Sequence, residues 1–298
     1  MKVLVTGGAG FLGGHVASGL RDAGHEVVVH DVVVSAGPYL RGVHVIEGNL
    51  LDRKSLVSAC RGIDGICHLG GVGDVILAGK DPGLAAESNV VGTANVVEAA
   101  REAGVSRIVY ASTWEVYGDP RYQPLDEDHP CAPDHPYNIT KFAGECLALA
   151  ADRLGGVPTV ALRLGTAYGL RMRPNAVFSR FIRAASRREP IVIQGTGLQS
   201  RQFTHTRDVA RGFKLAIESD LRGTAINLVA AEPVTIRTLA EMVAARFPTE
   251  IRFTEARAGD IHPSAVDSSR AARLLGWRAE VPFGVGLAEM MDEVGSGA

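Results

Sequence analysis

Lys2-Val-Leu-Val-Thr-Gly-Gly-Ala-Gly-Phe-Leu-Gly13 decides the architecture of this chain. Residues 2–6 form a short apolar run, as a buried strand requires. Glycines at 7, 10 and 13 follow, and a helical pattern begins near Phe11 and lasts to about Ala23. Strand, glycine turn and helix together turn a weak spacing motif into a strong one. Gly7 permits a tight turn, Gly10 lets the backbone approach a pyrophosphate at the positive helix end, and Gly13 allows close helix–strand packing. Val27-Val-Val-His-Asp31 is a second buried strand that ends in an acid. A carboxylate there accepts hydrogen bonds from an adenosine ribose and repels a 2′-phosphate. No arginine follows it before Arg41, so the expected dinucleotide is NAD rather than NADP.

Further apolar runs alternate with helical stretches. Strands are expected near Val43–Ile46, Ile66–Leu69, Arg107–Tyr110 and Thr159–Arg163, with helices near Lys54–Cys60 and Leu84–Ala103. Such alternation predicts an α/β fold, a Rossmann-type doubly wound parallel sheet covered on both faces. From about Gly169 the pattern changes to short strands (Ile191–Ile193, Ala225–Leu228, Ile251–Phe253). These mix with helices near 175–187, 207–219, 236–246 and 268–275. The expected division is an NAD-binding domain over residues 1–168 and a smaller, mainly substrate-binding α/β lobe over 169–298, part of it returning to the main sheet. Asp119–Pro136, with five prolines, is too long for a simple turn and predicts a surface loop near the site.

Composition narrows the class. Hydrophobic content of 46% and charged content of 21% suit a globular protein, and a net charge of −2 without a basic run argues against nucleic acid. Cys60, Cys67, Cys131 and Cys146 are scattered without a Cys-x-x-Cys pair, so no metal site or disulfide framework is expected and a reducing cytoplasm fits. Met1-Lys2 leads directly into the first strand and no apolar run reaches membrane-spanning length, so neither a signal peptide nor a membrane partner is expected.

Tyr137-Asn-Ile-Thr-Lys141 supplies the chemistry. Four residues is about one helical turn, so phenol and ammonium share a face. A lysine cation beside a phenol favours phenolate, which predicts a lowered Tyr137 pKa and a group able to move a hydroxyl proton near neutrality.

In order along the chain, Gly7–Gly13, Asp31, Gly48-Asn-Leu-Leu-Asp52, His68-Leu-Gly-Gly71, Asn89-Val-Val-Gly-Thr93, Ala111-Ser-Thr-Trp-Glu-Val-Tyr-Gly118 and Tyr137-x-x-x-Lys141 resemble the extended short-chain dehydrogenase/reductase family, in its nucleotide-sugar epimerase/dehydratase branch. The resemblance implies a cofactor site of Gly7, Gly10, Phe11, Leu12, Gly13, Asp31, Asn49, Leu50, Leu69, Gly70, Gly71, Asn89, Tyr137 and Lys141. Asn49 stands where the family has an adenine-binding aspartate, and Lys141 would also hold the nicotinamide ribose. Thr113 takes the family's catalytic Ser/Thr position, to hold a sugar oxygen and relay a proton to Tyr137. The implied mechanism is oxidation of a sugar hydroxyl, usually at C4, to a ketone, with no net redox change. The resemblance further implies a homodimer built on the helix near Leu84–Ala103 and the helix carrying Tyr137.

The branch is less sharply marked. Glu115 matches a carboxylate that acts at C5 in 4,6-dehydratases and uronate decarboxylases, and its alternative role is a hydrogen-bonded structural carboxylate. Trp114 replaces the acid that a 4,6-dehydratase needs, since an indole N–H cannot protonate a leaving hydroxyl. It is either a packing residue or a wall of the sugar pocket. Tyr168-Gly-Leu-Arg-Met-Arg-Pro-Asn175 is similar to the decarboxylases. Thr166 stands where the family usually has an asparagine on the sugar diphosphate. Arg201 and Arg257 match family positions that clamp phosphate oxygens. Asp208 is expected to cap the helix that follows it. The leading expectation is a UDP-sugar 4-epimerase with tightly bound NAD. A UDP-glucuronate decarboxylase or 4,6-dehydratase using Glu115 comes second. A non-catalytic NAD-binding protein comes third, disfavoured because Thr113, Tyr137 and Lys141 are all present.

Overall fold

The first apolar run becomes β1 (Lys2–Thr6), and the glycine turn carries it into α1 (Phe11–Asp22). The structure is a computed structural model that describes residues 1–33, 38–255 and 265–295. Next come β2 (Glu26–Asp31), β3 (His44–Glu47), α2 (Arg53–Cys60) and β4 (Gly65–His68). Two short helices, α3 (Val75–Lys80) and α4 (Pro82–Ala86), lead through a π-helical turn at Glu87–Val91 into α5 (Gly92–Ala103). Then follow β5 (Arg107–Thr113), α6 (Pro136–Arg153), β6 (Thr159–Leu164), β7 (Thr166–Tyr168), α7 (Val177–Ser186), β8 (Ile191–Gln194) and β9 (Ser200–His205). The chain ends with α8 (Thr206–Glu218), β10 (Thr224–Leu228), β11 (Pro233–Thr235), α9 (Ile236–Arg246), β12 (Ile251–Thr254), α10 (Ser269–Leu275) and α11 (Phe283–Gly295).

The main sheet has seven strands in the order β10-β6-β5-β4-β1-β2-β3, every neighbouring pair parallel. The strand order reverses between β1 and β4, the switch point at whose carboxyl edge open α/β sheets bind ligands. Each strand alternates between two covered faces. Val3, Val5 and Val29 pack toward α1 and α8 through Val16, Leu20, Val209 and Phe213. Leu4, Val28 and Ile66 pack toward α2, α5 and α6 through Leu56, Val96 and Ala148. Burial on both faces explains why these strands are apolar throughout instead of alternating.

A second core lies over the carboxyl edge. Tyr168, Phe178, Phe203, Leu239, Leu287 and Met290 join α7, α9, α11 and a three-stranded sheet of order β11-β9-β7, with β8 paired to β12 beside them. β10 belongs to the main sheet although these elements lie on both sides of it in sequence. Among the described residues no helix is long and apolar enough to cross a membrane.

Three local expectations are corrected. The helix expected from Leu84 to Ala103 is broken by the π turn, which carries Asn89 with its side-chain amide bonded to the backbone of Val72. Asp208 does not cap α8. His205 does, its Nδ1 accepting from the Arg207 N–H, while the Asp208 carboxylate accepts from the backbone of Glu280 and Val281. β9, unmarked in the sequence because it is largely polar, becomes a strand by pairing on both sides.

Candidate active site

The glycine turn and the end of β4 meet at the switch point. Gly7 has φ +69°, and a Cβ there would lie 2.6 Å from Cα of Gly70, so two backbones touch where only glycine fits. Gly13 is equally constrained: its Cβ would lie 2.0 Å from the Gly7 carbonyl oxygen, so it packs on the turn itself. Gly10 caps α1 without any side-chain bond to the free N–H groups of the first turn, where Phe11 and Leu12 begin the helix. A Cβ on Gly10 would meet little besides the Gly7 carbonyl at 3.1 Å, which leaves an open concavity at the positive helix end. Asp31 stands across from it, its Oδ2 accepting from the Ala9 N–H at 2.9 Å. These features fit a dinucleotide. Leu69 and Gly70 line the other side, with Leu50 packed against Gly70 and Gly92. Gly71 (φ +142°) rests on the Asn89 amide. Asn49 is exposed at the rim and its Oδ1 accepts from the Leu51 N–H at 2.9 Å. Asn89 is buried and its amide bonds Val72 and Thr140, so it shapes this wall from behind.

Thr113, at the end of β5, stands beside the Tyr137 phenol and favours its ionisation. Its Oγ1 also accepts from the Glu115 N–H at 3.2 Å and so caps the 3-10 turn Trp114–Tyr117. Tyr137 opens α6 just after Pro136, where His135 caps the helix. Lys141, one turn on, is buried with its Nζ 4.5 Å from the centre of the Tyr110 ring. The expected lowering of the Tyr137 pKa is not found. Burial and the nearby Glu115 raise it, while Thr113 and Arg173 act the other way. Lys141 rests on Tyr110, and burial pulls its own pKa down to about 8.

Beneath these residues lies a buried charge pair. Arg163 on β6 donates through Nη2 to Oε1 of Glu145 at 2.6 Å and through Nε to Oε2 at 3.1 Å, and Ser112 donates to Oε2 at 2.5 Å. Arg163 also donates to the Tyr117 hydroxyl, which donates to Asn227 Oδ1 at 2.8 Å. Strands β5, β6 and β10 and helix α6 are thereby joined directly under Thr113, Tyr137 and Lys141.

Above them, Trp114, Thr166 and Arg201 line one pocket together with Ser200, Gln202, Val229 and Val266. Glu115 lies close by. Burial raises its pKa and Arg201 opposes the shift. Arg257 lies outside the described residues. Sequence reasoning missed Arg173 and Asp74, which form an ion pair near Tyr137, between the loop after β7 and the first residue before α3. Arg-Met-Arg-Pro174 was the available signal, but nothing local marks which arginine turns toward the phenol. Tyr110 was missed as well, because in sequence it is one more residue of an apolar strand.

Comparison with known proteins agrees with this geometry. Residues 3–228 match the model of the NAD dependent epimerase/dehydratase family. The chain is 32% identical to an uncharacterized UDP-glucose epimerase, YtcB, of Bacillus subtilis (strain 168), over 92% of each chain. Among solved structures it is similar to MoeE5 in complex with UDP-glucuronic acid and NAD, at 34% identity and TM-score 0.91, covering 100% of both chains. It is also similar to the UDP-glucuronic acid 4-epimerase of Bacillus cereus, at 28% identity and TM-score 0.90, again over 100% of both. The likeness spans the second core as well as the main sheet, and the chain therefore belongs to the NAD-dependent epimerase/dehydratase family.

Proposed function

We propose that this protein is a 4-epimerase of a UDP-sugar that keeps NAD bound through its cycle. One observation carries the reading: Thr113 stands beside the Tyr137 phenol and favours its ionisation, with no acid at Trp114 to expel a leaving group. Gly7, the α1 N-terminus, Asp31 and Lys141 would hold NAD, which when bound supplies a reversible hydride acceptor. Thr113 holds the sugar hydroxyl and passes its proton to Tyr137. Burial and Glu115 hold the Tyr137 pKa up, and positive charge near the phenol, to which Arg173 contributes, favours the phenolate. Glu115 alone does not carry the 4,6-dehydratase alternative. A 4,6-dehydratase also needs an acid beside it, and Trp114 stands in that place. Trp114, Thr166 and Arg201 shape the sugar and diphosphate site, and Arg257 is proposed as a second phosphate clamp.

A UDP-uronate is the substrate that the mouth favours. Arg173 holds the Asp74 carboxylate within electrostatic reach of Tyr137, and a sugar carboxylate could take the place of Asp74. The likeness to the UDP-glucuronic acid 4-epimerase of Bacillus cereus, at 28% identity, supports this choice. The test is incubation of the NAD-loaded protein with UDP-glucuronate, UDP-glucose and dTDP- and GDP-sugars, read by mass and proton NMR. Unchanged mass with an inverted C4 signal is expected. Loss of carbon dioxide or water would replace the reading with a lyase and make Glu115 a working acid/base.

A homodimer is proposed on the surface of the π turn and α6, where Val91, Ile139 and Leu147 are exposed. Light scattering at the size of a monomer would remove it. Four free thiols fit a cytoplasmic setting.

A further inference from the structure

His68 lies outside the reaction chemistry, yet it is 1% exposed and hydrogen-bonded through both ring nitrogens. Its Nε2 is 3.0 Å from Thr93 Oγ1, and its Nδ1 is 2.6 Å from Thr6 Oγ1. Chemistry fixes the direction of every bond in this chain. The Asn89 carbonyl can only accept, so the one Thr93 hydroxyl proton goes there, at 2.6 Å. Thr93 must then accept from His68, which places the ring proton on Nε2. Nδ1 is bare and accepts from the Thr6 hydroxyl, whose oxygen in turn accepts from the Gly70 N–H at 3.3 Å. Beyond Asn89 the line continues through its amide to Thr140 at 3.0 Å, and from the Thr140 hydroxyl to the Pro136 carbonyl at 2.8 Å. One end is the Gly70 backbone that touches Gly7 in the cradle. The other is the first turn of α6, which carries Tyr137.

We propose that His68 is a positioning residue that sets the distance between the dinucleotide cradle and the catalytic helix while touching neither cofactor nor substrate. Only the neutral Nε2–H tautomer completes the line, and burial together with the Lys141 charge keeps His68 neutral down to about pH 3. Tyr110 braces the same junction. Its hydroxyl donates to the Lys141 carbonyl at 3.1 Å, and its ring lies 5.6 Å from the imidazole. The π turn is part of the device, since it carries Asn89, whose carbonyl and amide both belong to the line.

The inference rests on the epimerase reading for its kinetic effect but not for its effect on NAD. His68→Phe keeps the ring and removes both bonds. His68→Gln can restore an acceptor and a donor. Thr93→Val breaks the line one step further on. For each, kcat and KM are measured with UDP-glucuronate and UDP-glucose, and the NAD dissociation constant by calorimetry. H68F is expected to lower kcat on the order of 30-fold with KM within about threefold, as expected for a displaced catalytic group. H68Q should recover most of that loss. T93V should share the loss, and the double variant H68F/T93V should be no worse than H68F, because both break one line. NAD should bind about tenfold more weakly in H68F, since the Thr6 hydroxyl that holds Gly70 loses its partner and its orientation. Wild-type kcat in folded H68F, or losses that multiply in the double variant, would overturn the proposal. If H68F does not fold, T93V and Thr6→Val carry the same test. If the wild-type protein turns over neither sugar, the epimerase reading is in question, but unchanged NAD affinity in H68F and T93V would still overturn the positioning role.

Discussion

Glu145–Arg163 under the catalytic helix and Asp74–Arg173 above it are both carboxylate–guanidinium pairs. The side chains of the first are 2% and 7% exposed, those of the second 28% and 50%. In the floor pair, both carboxylate oxygens are bonded, by Arg163 and Ser112, and Arg163 reaches on to Tyr117. Taking either partner away would strand a charge out of reach of water. The pair above lies partly in water, so its charges are screened and an incoming anion can replace Asp74 at little cost. The difference separates what a site must hold rigid from what it can exchange. Catalytic geometry rests on groups that have no alternative partner, and recognition rests on groups that do.

Removing the reacting group is the harshest way to challenge the floor. Tyr137→Phe should lower kcat by about 10²- to 10⁴-fold, the usual worth of a general acid–base group, with NAD still bound. Stopped-flow or discontinuous NMR assays would check it, and a loss below tenfold would move the base elsewhere. The contrast between the pairs can then be measured directly. Glu145→Ala should destabilise the fold by about 3–5 kcal/mol, because Arg163 is left buried and unpaired. Asp74→Ala should cost no more than about 1 kcal/mol. Urea unfolding of both variants would decide, and equal costs would erase the distinction drawn here. Arg173→Met sharpens the recognition side. It should lower kcat/KM for UDP-glucuronate by about tenfold while changing that for UDP-glucose by less than about threefold, since a charge-assisted bond is lost in one case only. Equal effects on both sugars would make Arg173 a tuner of Tyr137 instead.

The smallest effect is in pH. Burial holds Lys141 near 8, against an ordinary value of 10.5, with Glu145 opposing the shift. Its charge is therefore lost as pH rises through 8, and kcat/KM should fall there. The unfolded chain keeps this proton up to about 10.5, so between 8 and 10.5 it binds more protons than the folded one, and the group adds stability as pH rises through that window. Activity and stability should thus move in opposite directions above pH 8. Lys141→Arg cannot titrate in this range and should abolish the falling limb.

Much of the floor was legible along the chain. Gly7, Gly10 and Gly13 mark a turn whose geometry is local, and Asp31 ends a strand whose position in a doubly wound sheet follows from that turn. Tyr137 and Lys141 share a helix face by spacing alone. The roof was much less legible. β9 is polar and becomes a strand through its two neighbours, so no periodicity announces it. Asp208 looked like a cap, but the residues it bonds, Glu280 and Val281, lie far along the chain. The expected Lys141–Tyr137 coupling followed from helical spacing, which cannot show that Tyr110 offers the ammonium its ring from another strand.

The sequence by itself determined the parallel sheet and the glycine turn of the dinucleotide cradle, and it placed Tyr137 and Lys141 on one helix, because strand burial, glycine turns and helical spacing act within a few residues. Tertiary structure decided where Lys141 rests, which acid holds Arg173, how Glu145 is paired and which tautomer His68 carries. Each of these depends on atoms brought together from strands and helices distant in the chain, and on how much water their packing leaves between them.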